Sequence, residues 1–146
     1  MVAVLAVAAA LLYLRGAQVS ADFDRHVDAA IIAMSCALQG EESQRASRLA
    51  QACDEARRAA RSPRAVVDPF AAYVLIQCER LADARATEPT VVNGAVPTAA
   101  GQAYAAMAAG QWERAQAAAE LAASSSPEEM RLLRQLLAGL RAADCP

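Results

Sequence analysis

Four cysteines, Cys36, Cys53, Cys78 and Cys145, and a single histidine, His26, are the side chains best suited to chemistry. No two cysteines form a CxxC, so thioredoxin-like exchange and zinc ribbons lack their signature. A zinc site needs three or four ligands in fixed geometry, and one histidine among scattered cysteines does not supply them. Asp22 and His26 lie four apart on one helical face among Asp24 and Asp28. That spacing is compatible with a weak metal contact or a pH-sensitive pair, but a solvated polar face near the new N-terminus is by far the better reading, and no metal is expected. No serine or cysteine stands in a nucleophile-elbow pattern, and no glycine-rich phosphate loop is present. The chain is therefore expected to be no enzyme, with no catalytic residues and no cofactor.

The cysteines make better sense as bridges. An even number in a short chain is the pattern of an oxidising compartment. Helices expected over about 41–61 and 68–86 flank Ser62-Pro63-Arg64-Ala65-Val66-Val67-Asp68-Pro69. In an antiparallel hairpin, residues whose numbers sum to about 131 lie opposite each other, and Cys53 and Cys78 satisfy this. Both fall on apolar stripes: Ala46, Leu49, Ala50, Cys53, Ala56 and Ala60 on one helix, and Ala71, Val74, Leu75, Cys78, Leu81 and Ala82 on the other. Cys36 and Cys145 remain as the second pair. Four cysteines allow three connectivities, so the pairing is a hypothesis, and small buried hydrophobes are the alternative reading.

These residues must be positioned by helices. Of the 146 residues 56% are hydrophobic, and 40 are alanine, the strongest helix former. Aromatics are only 4%, which excludes a sandwich or barrel built from β-branched and aromatic strands. With 21% charged residues and a net charge of −2, the chain is also too apolar for disorder. The expected fold is all-α, built of antiparallel helical hairpins after an N-terminal apolar segment. A first helix over about 22–38 carries Phe23, Val27, Ile31, Met34 and Leu38 on one face, and Gly40 stops it. Glu41-Glu42 and then Arg57, Arg58 and Arg61 suit the dipole of the second helix. Thr87 to Pro97 is a connector, in which Asn93-Gly94 has the sequence of a type I′ turn.

Residues 2–14 carry no charge before Arg15-Gly16. A helix of that length rises about 20 Å, short of the roughly 30 Å hydrocarbon core, and suits the h-region of a secretory signal. Val19-Ser20-Ala21 is an A-x-A-like site, with cleavage before Asp22. No Lys or Arg precedes the run, so either translation starts upstream or the segment is kept as an anchor; a buried N-terminal core helix is the third reading. Residues 1–21 are accordingly expected to be a signal peptide or membrane anchor, and 22–146 a single helical domain.

All 14 basic residues are arginine, and Arg45, Arg48, Arg57, Arg58, Arg61 and Arg64 concentrate in one stretch. Net negative charge and the lack of stacking aromatics there argue against nucleic acid. A solvated face with local partners Glu41, Glu42, Asp54 and Glu55 is the simpler reading.

Gly110-Gln111-Trp112-Glu113-Arg114-Ala115, followed by Ala119, Ala122 and Pro127, resembles the second half of a tetratricopeptide repeat. The resemblance covers about residues 110–127, and a small alanine-rich helical bundle is the alternative architecture with the same antiparallel hairpins. Upstream, the family's Trp, Leu, Gly and Tyr positions fall on Ala99, Gln102, Ala103 and Ala106, while Gly101 and Tyr104 stand two residues early. Ser126 caps a closing helix with a leucine face of Met130, Leu133, Leu136, Leu137 and Leu140. The resemblance implies a hairpin and capping helix within 98–146, and a protein-binding surface around Tyr104, Gln111, Trp112 and Arg114. The expected function is a non-enzymatic interaction or scaffold module of the cell envelope, periplasmic or otherwise outside the cytoplasm. Its partner would be a protein, with a membrane tether through residues 2–14. A small exported, disulfide-stabilised helical carrier of a hydrophobic ligand is the alternative.

Overall fold

The computed structural model describes residues 2–86, 113, 114, 117 and 127–145. Among these residues the fold is all-α, with four α-helices, one short 3-10 helix and no strand. They are α1 (Val2–Gln39), α2 (Glu42–Ala60), the 3-10 turn (Pro63–Val66), α3 (Phe70–Ala86) and α4 (Pro127–Ala142).

α1 is a single helix of 38 residues, so the helix expected over 22–38 is the C-terminal part of a longer element. The physical reason is local. No proline interrupts residues 2–39, and one glycine, Gly16, costs a helix only about 1 kcal/mol amid alanine and leucine. The Ala21–Asp22 peptide bond lies inside this helix. Its two halves have opposite environments. Val4, Leu5, Val7, Leu11, Leu12, Tyr13 and Leu14 are each 59% to 78% exposed, which overturns the reading of this run as a buried core helix. From Phe23 onward, Phe23, Val27, Ile31, Met34 and Leu38 are all buried.

Gly40 ends α1 by necessity of space. Its N–H donates to the Cys36 carbonyl at 2.9 Å, and a Cβ there would stand 2.5 Å from that same oxygen.

The buried half of α1 touches α2, the 3-10 turn, α3 and α4, with α2 as its main neighbour. Phe23, Met34, Leu49, Val74, Leu136 and Leu140 are the largest fully enclosed apolar side chains. Each such side chain contributes about 1.5–3 kcal/mol on burial. The stripes differ in detail from those expected. On α2 the buried set is Leu49, Ala52, Cys53, Ala56 and Ala59, while Ala46 and Ala50 are exposed. α2 packs against α1 and α3 together, so its buried face is shifted toward Ala52 and Ala59. α3 adds Phe70 and Gln77 to its buried face, and on α4 Leu132 is buried while Leu133 is half-buried.

Candidate functional site

The sulfur frame is the first feature that ties distant segments together. Cys53 of α2 and Cys78 of α3 are paired with Cα atoms 5.6 Å apart. Cys36 of α1 is paired with Cys145 across 109 residues, Cα to Cα 5.3 Å. These separations lie in the ordinary range for bridges, and bridges of this kind fit an oxidising compartment. The first pair sits in the core, with Cys53 and Cys78 both buried and the Cys78 Sγ 3.4 Å from the Leu49 carbonyl. The second pair is half open, because Cys36 is buried and Cys145 exposed. Beside it, the buried Ser35 hydroxyl donates to the Leu140 carbonyl.

The second feature is the point where α1 passes from exposed to buried. Arg64, in the 3-10 turn, reaches back to this point. Its guanidinium donates to the Ser20 hydroxyl and, at 3.1 Å, to Asp24 Oδ2, and it lies 5.0 Å from the centre of the Phe23 ring. Asp68 stands 4.0 Å away on the other side. Ser62 caps the turn by accepting from the Arg64 N–H, and Pro63 supplies its first residue. Asp68 Oδ1 in turn accepts from the Phe70 N–H at the start of α3. A planar, permanently charged fork over an aromatic face, with a carboxylate at its edge, is a geometry particular to arginine.

One turn further along, His26 Nδ1 and Glu55 Oε2 are 2.6 Å apart, linking α1 to α2. The other Glu55 oxygen accepts from Arg58 at 3.2 Å. The Asp22–His26 pair considered from spacing is not formed. Asp22 is exposed and pairs with Arg25 at 3.0 Å, whereas His26 turns inward toward α2. Among the described residues no group of three or more His, Cys, Asp or Glu gathers in a metal-holding arrangement.

Three of the six arginines in this stretch make local pairs, as a solvated face would: Arg45–Glu42 at 2.7 Å, Arg57–Asp54 at 2.7 Å and Arg58–Glu55 at 3.2 Å, and Arg57 also reaches Glu79 of α3 at 3.4 Å. Arg64 makes the longest-range pairs of the stretch, with partners 40 and 44 positions away beside the local Asp68. Sequence reasoning missed Ser20, Asp24 and Arg64 as a unit. A signal was present in the turn itself, where an arginine precedes Val66-Val67, an apolar pair in a segment that should be polar.

Of the residues named for partner binding, Tyr104, Gln111 and Trp112 lie outside the described residues, as do Asn93-Gly94, Ser126 and the rest of the 87–97 connector. Arg114 is helical and exposed. No protein-family model, curated protein or solved structure matches this chain.

Proposed function

We propose that this protein is a membrane-tethered helical interaction module working outside the cytoplasm, without catalytic chemistry of its own. The observation that carries the reading is the division of α1. One continuous helix is exposed and apolar over Val4–Leu14 and becomes the centre of a folded domain from Phe23. α1 as a whole is long and apolar enough to cross a membrane by length and composition. Between Val2 and Ala21 the only charge is Arg15, and that span rises about 30 Å, the thickness of a hydrocarbon core. An apolar surface on every side of a helix suits lipid better than water. The two cysteine pairs support an oxidising location for the domain.

In this reading the domain consists of antiparallel helical hairpins braced by sulfur, and the segment resembling a tetratricopeptide repeat offers its surface to a protein partner. Tyr104, Gln111, Trp112 and Arg114 are the proposed contacts. The test is made on the full chain in intact cells. Alkaline extraction should leave the protein in the membrane pellet, and its thiols should resist alkylation until reduced. Protease added from outside should degrade the domain. A photo-crosslinker at position 112 should give one defined protein adduct. A soluble protein with four free thiols would overturn the tether and the address. A membrane protein with no adduct from positions 104, 111, 112 or 114 would overturn the module alone.

A further inference from the structure

We propose that the connection between α2 and α3, residues 61–69, is a second membrane contact, with Val66 and Val67 seated in the lipid interface where α1 leaves the bilayer. The inference rests on the tether reading and adds a surface to it. Val66 and Val67 are 88% and 81% exposed, more than any other large apolar side chain recorded as exposed, those of the anchor included. The other large apolar side chains recorded as exposed in the domain, Ile32 at 41% and Ile76 at 47%, stand singly on helix faces, which is ordinary for a soluble surface. Two adjacent valines projecting from a short connection are not.

Their position decides the occupant. Contacts of α1 with α2 and the 3-10 turn that follows it run in opposite senses: His26 meets Glu55, and then Asp24 and Ser20 meet Arg64. Each step toward the exposed half of α1 is a step toward the 61–69 connection. Arg64 fixes that connection to Ser20 and Asp24, at the end of the span Val2–Ala21 proposed to lie in lipid. A helix inserted to Ala21 therefore brings Val66 and Val67, two and three residues beyond Arg64, to the same bilayer surface. The connection holds its shape there, through the Ser62 cap, Pro63, and the Asp68 bond to the Phe70 N–H. Arg61 and Arg25, both exposed, lie beside the end of the proposed span, at headgroup level in this reading. Apolar side chains beside arginines are the composition of a surface that lies in an interface.

The test uses the full-length protein with all four native cysteines paired, reconstituted into phosphatidylcholine–phosphatidylglycerol vesicles. An environment-sensitive fluorophore is attached at Val67→Cys, and in a second sample at Gln51→Cys, an exposed site on α2. The probe at 67 should shift to the blue and lose emission to lipids carrying a nitroxide near the headgroup, while the probe at 51 does neither. Flotation of the same samples reads the tether separately. A floating protein whose probe at 67 behaves like that at 51 overturns the second contact and leaves the tether standing. A blue shift insensitive to nitroxide lipids means that a protein surface, a second copy or a partner, covers the valines, and also overturns it. A protein that fails to float overturns both.

Discussion

Ser35 and Leu140, 105 residues apart, are joined by a 3.0 Å hydrogen bond from the serine hydroxyl to the leucine carbonyl. That carbonyl belongs to the last turn of α4, where the helix has no N–H of its own to offer. Ser35 is fully buried, and its oxygen also accepts from Gln39 Nε2 at 2.9 Å. Ser35→Ala leaves a buried carbonyl unsatisfied. It is expected to lower the unfolding free energy by about 1–3 kcal/mol. Urea denaturation of the intact chain checks this, and an unchanged midpoint would remove the bond from the account of stability.

The two bridges should answer a reductant in a fixed order. Attack by a thiolate needs access to a sulfur, and only Cys145 is exposed, whereas Cys53 and Cys78 lie in the core. Mild reduction followed by alkylation and peptide mapping should modify Cys36 and Cys145 first. Replacing Cys36 and Cys145 by alanine should cost about 4–5 kcal/mol, and replacing Cys53 and Cys78 about 3–4 kcal/mol, on the loop-entropy account of cross-links. The difference follows from sequence separations of 109 and 25. Core modification before Cys145 would show that the domain opens globally under these conditions.

Much of this frame was legible in the residues. The repeat from Phe23 to Leu38 and the stop at Gly40 follow from periodicity, the Cys53–Cys78 pair was suggested by hairpin arithmetic, and Cys36–Cys145 was only what remained. Gln77 shows where such reading fails. It lies three residues after Val74 and is 97% buried in effect, at 3% exposure, with its Oε1 lacking a partner, yet its polarity assigns it to the surface. Ser35 fails for the same reason, because its partner is set by how α4 meets α1. The Arg64 junction was hidden in a run of similar arginines, since only the packing of the turn on α1 brings this one to Ser20 and Asp24. The unbroken run of α1 across Ala21–Asp22 was not legible, because a processing pattern marks where a peptidase would cut and not where a helix begins.

Arg64 makes its own prediction. Arg64→Ala removes the bonds to Ser20 and Asp24 and the stacking on Phe23 together. A loss of about 1–2 kcal/mol is expected, because the side chain is partly exposed and solvent replaces some of the interaction. Arg64→Lys should recover little, having one point charge in place of a planar fork. Hydrogen exchange should rise at residues 20–27 of α1 more than at 30–38. Full recovery by lysine would reduce the junction to simple charge attraction.

At the start of α4, the Arg131 guanidinium grips Glu128 at 2.7 and 3.2 Å and holds its carboxyl below the ordinary glutamate range. The hydrogen bond is the leading cause, with the charge of Arg131 acting in the same direction. The folded value is thus the lower one. The contribution to stability is present above the unfolded glutamate value and is lost as pH falls through the depressed folded value. A carboxyl NMR titration should place the Glu128 midpoint below that of a free glutamate, and Arg131→Gln should move it up. A midpoint indifferent to that substitution would show that the pair does not persist in solution.

Gly139 allows a last test of how α4 meets α1. A Cβ at this position would lie 3.2 Å from both Cδ1 and Cγ2 of the buried Ile31. Alanine there gains about 1 kcal/mol of helix propensity over glycine. It also presses on a β-branched side chain whose χ1 has little freedom to yield. Gly139→Val adds further atoms against the same neighbour and should cost about 1–3 kcal/mol through overpacking. Ile31→Val removes Cδ1, one of the two close atoms. Gly139→Ala should therefore be more favourable in that background than in the parent chain. Denaturation of all four members of the cycle should give a coupling of at least about 0.5 kcal/mol with that sign. Additivity would mean that α4 shifts freely on α1, and the close approach of the two helices would then not constrain position 139.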